Sequence, residues 1–183
     1  MQNNWKEIAI SALALCVIAG VATAALAGTN ALTAGTIAEQ NAAIENAARK
    51  QVIDADTFEK KTLTAEDEEI EYYEAIKDGA AVGYVFTATA TGKSSGLVIM
   101  TGIGADGTVT GVKVTADNET AGYVDKVTGA GLLERFAGKA AEKFQLGSNI
   151  DGVSQATKTS KGVTDGVNKA VAYYQIIRGG TAQ

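Results

Sequence analysis

The sequence contains no histidine, no proline and a single cysteine, Cys16. Without imidazole, a histidine metal site and imidazole acid–base catalysis are both excluded. One thiol permits no intrachain disulfide and no cysteine-held iron–sulfur cluster. Positive charge is scarce as well. With 16 Lys and Arg against 21 Asp and Glu, the net charge is −5, so no nucleic-acid partner is expected. No dinucleotide fingerprint opens a strand–helix unit. Any redox chemistry must therefore rest on a bound organic cofactor or on partner subunits. Lacking proline, the chain builds its turns from Gly, Asn and Asp, and the Asp-Gly pairs at 78–79, 106–107 and 151–152 suit that use.

Charge is missing altogether from residues 8–38. Within them Ile8 to Ala27 is a 20-residue, mainly apolar run. As a helix it rises about 30 Å, the thickness of a bilayer core, so membrane lipid is one expected partner. Trp5 stands at its edge, where an aromatic interfacial anchor belongs. The alternative is a cleaved secretory signal ending near Ala25-Leu26-Ala27. A lipoprotein signal fits poorly, because Leu15 before Cys16 is large. The expected state is a retained, single-pass anchor. Lys6 precedes the span closely, whereas Arg49, Lys50, Lys60 and Lys61 lie far beyond it, so the N-terminus is expected inside and the body outside the cytoplasm.

The remainder is organised around turns. Thr36 to Val52 reads as a polar, Ala-rich helix leading into the body. The acidic run Glu66 to Glu74 reads as a solvated face rather than a metal site. Tyr72–Lys77 and Ala80–Ala90 flank Asp78-Gly79 as one hairpin, and Leu97–Gly104 and Thr108–Ala116 flank Asp106-Gly107 as another. Successive hairpins imply an antiparallel sheet. Gly131 to Lys143 reads as a helix with Leu132, Leu133 and Phe136 inward. A last helix is expected over about Lys161 to Ile177, on the spacing of Val163, Val167, Ala170, Val171 and Tyr174. The expected class is α+β, with a transmembrane anchor over 1–30, a leading helix and linker over 31–60, and a domain over 61–183 built on a twisted antiparallel sheet flanked by helices.

Ser154, Thr157, Thr159 and Ser160 put four hydroxyls into seven residues just before that last helix. Hydroxyls there signal a helix N-terminus, which also attracts phosphate; a plain capped helix is the simpler reading. The heptad Asp151-Gly-Val-Ser154-Gln155-Ala156-Thr157 resembles the flavinylation motif of the FMN-binding domain family. The family's usual Gly between Ser and Ala is Gln155 here. Gln does not replace a Gly at positive φ without strain. Gly83-Tyr84-Val85-Phe86, residues 103–114, Asn118-Glu119-Thr120-Ala121-Gly122 and residues 129–139 resemble further blocks of the same family. Ala121 stands where the family usually has Pro. Taken with the anchor, the blocks are similar to the G subunits of Rnf complexes, the ion-translocating ferredoxin:NAD oxidoreductases.

That resemblance implies an electron-transfer subunit of a membrane-bound, ion-translocating oxidoreductase, with no complete activity alone. The cofactor implied is FMN, held covalently by a phosphoester to Thr157 and installed from FAD by a flavin transferase that reads Asp151. Ser154, Gln155, Ala156 and Thr159 surround the acceptor, Thr159 being its rival. In the family the Glu-Thr loop and the following Gly-Leu-Leu segment lie near the flavin, which makes Glu119, Thr120, Leu132 and Leu133 further cofactor-binding candidates. Leu132 and Leu133 also read simply as core. The implied partners are the membrane and peripheral subunits of the Rnf complex, and the implied location is the cell (inner) membrane with the flavin domain extracytoplasmic. The C subunit of the sodium-pumping NADH:quinone oxidoreductase is similar in motif. A stand-alone anchored flavoprotein for extracellular electron transfer and an anchored binding module without flavin remain alternatives.

Overall fold

The computed structural model describes residues 5–65 and 68–179. The chain divides into two units, Met1–Glu45 and Asn46–Gln183. The described residues of the first are helical, and the helix α1 runs from Trp5 to Val52 without a break. The sequence reading placed a boundary between an anchor and a leading helix. The chain has no proline there to enforce one, and its Ala-rich composition favours continuing the helix. Thr23 and Thr33 donate their hydroxyls to carbonyls one turn back, at 2.8 and 2.9 Å. Such back-bonding satisfies a hydroxyl that has no water. Ile10, Leu13, Leu15, Ile18, Val21 and Leu26 are all exposed, so the apolar surface goes all the way round. A helix of that kind has no aqueous side. α1 is long and apolar enough to cross a membrane.

The second unit carries a five-stranded antiparallel meander. Its strands are β1 (Thr57–Ala65), β2 (Glu68–Lys77), β3 (Ala80–Thr91), β4 (Ser95–Gly104) and β5 (Val109–Ala116), side by side in chain order. Both predicted hairpins form. Asp78 and Gly79 take φ of 51° and 78°, the double left-handed step of a two-residue hairpin turn. β1 was not predicted. It is an edge strand, exposed along most of its length, so its apolar residues do not alternate. The acidic run continues as β2, where Glu68, Glu69 and Glu71 are exposed and Glu71 pairs with Lys60 of β1 at 2.6 Å. Glu66 and Asp67 of that run lie outside the described residues.

Each face of the sheet carries a core. On one face the last helix, α3 (Thr157–Ile177), lies over β3 and β4. Val163, Val167, Ala170, Val171 and Tyr174 meet Phe86, Leu97, Ile99 and Ile103 there. On the other face the end of α1 and the following residues, Ala48, Val52 and Ile53, pack with Ala75, Val85 and Met100. Thr110 fastens this end by donating its hydroxyl to the Val52 carbonyl at 2.5 Å.

Two helix boundaries differ from the reading of the sequence. No α-helix spans 131–143. The short helix α2 occupies Tyr123–Gly129, and turns follow. Gly131 and Gly138 sit at φ of 72° and 77°, outside the α-helical region, and the N–H groups of Arg135, Phe136 and Ala137 reach back three residues instead of four. Leu132, Leu133 and Phe136 still point inward and are buried. α3, in turn, starts at Thr157, one turn earlier than expected. Its hydroxyl-rich first turn was read as a cap, yet tertiary contacts hold it helical.

Candidate functional site

Gln155 adopts φ of 63°, one of only two positive φ values for residues other than glycine among those described. The sequence departs from the motif at the position where the backbone is left-handed. Ala156 follows as the N-cap of α3, and no side chain caps the helix. The expected hydroxyl cap is absent because the helix starts after Ala156, which has no side-chain acceptor, and Ser160 lies inside the first turn. Ser160 donates its hydroxyl to the Ala156 carbonyl at 2.9 Å and accepts the Val153 N–H at 3.1 Å. The free N–H groups of the first helical turn are left for another acceptor. Gln155→Gly is expected to raise the unfolding free energy of the chain by roughly 0.5–1 kcal/mol, the relief of left-handed strain less the added freedom of the unfolded chain. Urea titration of the detergent-solubilised protein measures it, and an unchanged or lowered midpoint would contradict the strain.

Thr157 is the first residue of α3 and is exposed. Thr159, two residues on, is fully buried and donates its hydroxyl to Glu119 Oε2 at 3.0 Å. The same carboxylate accepts the N–H groups of Lys93 and Ser94, at 3.2 and 3.0 Å, from the turn between β3 and β4. Glu119 thus ties that turn to the first turn of α3. Glycine permits the approach. A Cβ on Gly162 would lie 2.8 Å from the Cα of Gly92 and 3.0 Å from the carbonyl carbon of Thr91.

Lys93, Tyr123, Gln155, Ala156, Thr157, Lys158 and Thr159 line an open groove of about 310 Å³. The Lys93 ammonium lies 4.1 Å from the centre of the Tyr123 ring, with Lys126 behind at 5.3 Å. The hydrogen bond with Lys93, and then its charge, hold the Tyr123 phenol below its ordinary pKa. Lys93 and Lys158, an uncapped helix start and an exposed hydroxyl therefore share one groove. The nearby Glu119 carboxylate is turned to internal donors. This donor set suits a phosphate anion, and the exposed Thr157 hydroxyl lies on the same groove.

Other predicted residues stand elsewhere. Asp151 and Ser154 are exposed on the loop before α3. The Asp151 carbonyl is held by Arg135 Nη1 at 2.6 Å, and Arg135 Nη2 reaches the Ala130 carbonyl at 2.9 Å. Thr120 is exposed, and its carbonyl accepts the Tyr123 N–H at 3.2 Å. Leu132 and Leu133 belong to the buried core on the α3 face of the sheet. Sequence reasoning passed over Lys93, Tyr123 and Arg135. The Thr91-Gly92-Lys93-Ser94 stretch reads as a turn and no more, and nothing local places it against a helix more than 60 residues away.

A family model described as the FMN-binding domain matches residues 92–172, from the Gly92 turn through most of α3. Another, described as the RnfG N-terminal region, matches residues 1–52, the span of α1. Among curated relatives, the G subunit of the Na(+)-translocating ferredoxin:NAD(+) oxidoreductase complex of Acetobacterium woodii is 36% identical, covering 96% of this chain and 95% of that one. The chain belongs to the family of G subunits of ion-translocating oxidoreductase complexes. The G subunit of the ion-translocating oxidoreductase complex of Escherichia coli K12 is 30% identical, over 94% of this chain and 93% of the relative. Its counterpart from Methanosarcina acetivorans is 29% identical over 93% and 96%. A more distant likeness is to the crystal structure of Shewanella oneidensis NqrC, at 21% identity and a TM-score of 0.47, covering 60% of this chain and 63% of that one. As a member of the G-subunit family the chain carries an FMN-binding domain, and that domain includes the whole groove around Thr157.

Proposed function

We propose that this chain is the electron-transfer subunit of a membrane-bound, ion-translocating ferredoxin:NAD oxidoreductase, and that it carries FMN through a phosphoester on Thr157. The observation that carries this reading is the contrast between two threonines of one helical turn. Thr157 opens onto a cationic groove, whereas Thr159 is buried and bonded to Glu119. Lys93, Lys158 and the first N–H groups of α3 would hold the phosphate, and the exposed Asp151 and Ser154 would face the flavin transferase. When attached, FMN supplies a group that accepts and donates electrons singly. The chain itself holds the cofactor, orients it and keeps it at the membrane.

Mass spectrometry of the tryptic fragment containing Thr157, taken from the native membrane complex, tests the attachment. The expected result is a fragment heavier by one FMN less one water, with fragmentation placing it on Thr157. An unmodified fragment from an active complex would sink the proposal.

The topology read from the sequence belongs to the same proposal. Lys6 before the span and the long uncharged run after it favour a cytoplasmic N-terminus and an extracytoplasmic domain. Protease added to intact cells, with any outer membrane opened, is expected to digest the region beyond residue 52. Digestion only from the cytoplasmic side reverses the topology.

A further inference from the structure

Glu119 stands beside the groove but its carboxylate does not face it. Oε1 accepts the Ser94 N–H, and Oε2 accepts both the Lys93 N–H and the Thr159 hydroxyl. Three hydrogen bonds occupy one half-buried carboxylate, and all three partners belong to the structure that frames the groove. A Cβ on Gly92 would lie 3.1 Å from the Glu119 carboxyl carbon and 3.2 Å from the Thr159 Cα. Only glycine at 92 lets the carboxylate enter between the turn and the helix. Thr159 is thereby held in two ways. Its hydroxyl is committed as a donor to an anion, and the turn above it is pinned in place by the same anion.

We propose that Glu119 is a positioning residue that determines which threonine accepts the flavin, and that it is not a flavin ligand. It withholds Thr159 from the transferase and fixes the Lys93 turn beside Thr157. This rests on the reading that Thr157 is the esterified residue. The contrast has a chemical basis. An acceptor hydroxyl must present a lone pair to the FMN-side phosphorus of FAD; as the O–P bond forms, the P–O–P anhydride bond breaks, AMP leaves, and the hydroxyl proton passes to the departing AMP phosphate or to solvent. Thr157, exposed at the start of α3, meets the first requirement. Thr159 does not while the turn covers it. Glu119→Ala removes the fastening of that cover and so exposes the buried Thr159.

The full chain is co-expressed with the flavin transferase, and flavin on Thr157 and on Thr159 is quantified by peptide mass spectrometry. Unaltered protein is compared with Glu119→Ala, Glu119→Gln and Gly92→Ala. Charge-assisted hydrogen bonds of this kind are strong enough that Glu119→Ala is expected to raise flavin on Thr159 by ~10-fold or more. Occupancy of Thr157 should fall in the same sample. Gly92→Ala, which displaces the carboxylate without removing it, should do the same. Glu119→Gln, which keeps the shape but not the charge, should lie between. Thr157→Ala with Glu119→Ala should carry flavin on Thr159, whereas Thr157→Ala alone should carry none. Amide exchange at Lys93 and Ser94 reports the turn directly, whatever the yield of flavin. Faster exchange there in Glu119→Ala, with the sheet amides unchanged, supports the role and guards against a merely unfolded variant. Three results overturn it. One is full Thr157 occupancy with no flavin on Thr159 in Glu119→Ala. Another is unchanged exchange at Lys93 and Ser94. The third is unchanged attachment combined with an altered flavin absorption spectrum, which makes Glu119 a flavin contact. Absence of flavin from Thr157 in the unaltered chain is a different failure, that of the parent reading.

Discussion

Thr157→Ala is expected to abolish covalent flavin and, in the assembled complex, to stop ferredoxin-driven NAD reduction and ion transport together. Both activities should fall to background, because the chain offers no second carrier. It has no histidine, and its one cysteine lies in α1. Substitution of an exposed residue at the first helical position removes no buried contact, so the helix and the sheet beneath should survive. The melting curve of the variant should match that of the unaltered chain. Electron entry at any cofactor upstream of this subunit should persist, since the substitution touches no other chain. The anchor matters to the argument as well. A carrier fixed in the membrane beside its partners works at a high effective concentration, and a soluble one does not. Adding free FMN should therefore not restore the rate. If a variant complex shown to lack only this flavin reduced NAD from ferredoxin at the normal rate, the relay role would be wrong.

Thr157 could be proposed as the acceptor because it lies in a short, continuous motif, which occupies one loop and one helix start. The hairpins were legible for the same local reason, since Asp-Gly pairs carry their own left-handed geometry. What failed were features set by distant contacts. The hydroxyls of 154–160 resemble a cap, yet Thr159 and Ser160 lie in the first turn of α3, where Ser160 accepts the Val153 N–H and Thr159 donates to Glu119, forty residues away in sequence. The helix expected over 131–143 has the right inward residues, and all three are buried, but Gly131 and Gly138 turn the backbone left-handed. The apolar pattern reported the core there and said nothing of the path. Gln155 is the instructive case. The departure from the family pattern was visible, and its meaning depended on a φ angle that only the structure supplies. Lys93 and Tyr123 had no sequence signal at all, because a lysine in a turn and a tyrosine near a helix start are ordinary. Only the packing of the β3–β4 turn and of α2 beside α3 brings them to Thr157.

Gly162→Val is expected to destabilise the chain by about 2–3 kcal/mol and to cut flavin attachment at Thr157 with it. Two effects oppose each other at this position. Valine is the better helix former than glycine, by several tenths of a kcal/mol. Considered as an isolated helix, α3 would gain. Packed, it meets the backbone of the turn above. A Cβ at 162 comes within 2.9 Å of the Gly92 nitrogen and 2.8 Å of its Cα, and neither is the end of a flexible side chain that can swing away. Main-chain atoms in a hairpin move only if the turn moves. The turn is the piece that Glu119 holds and that carries Lys93 into the groove. The tertiary term wins, and stability and site geometry are lost by the same displacement. Gly129→Ala serves as the control, since a Cβ there meets nothing within 4 Å. Its effect should stay within about 0.5 kcal/mol. Denaturant titration of both variants in detergent, with peptide mass spectrometry of the Thr157 fragment, measures the two consequences side by side. A Gly162→Val chain that unfolds at the midpoint of the unaltered protein and carries a full complement of flavin would mean that α3 and the Gly92 turn do not touch in solution.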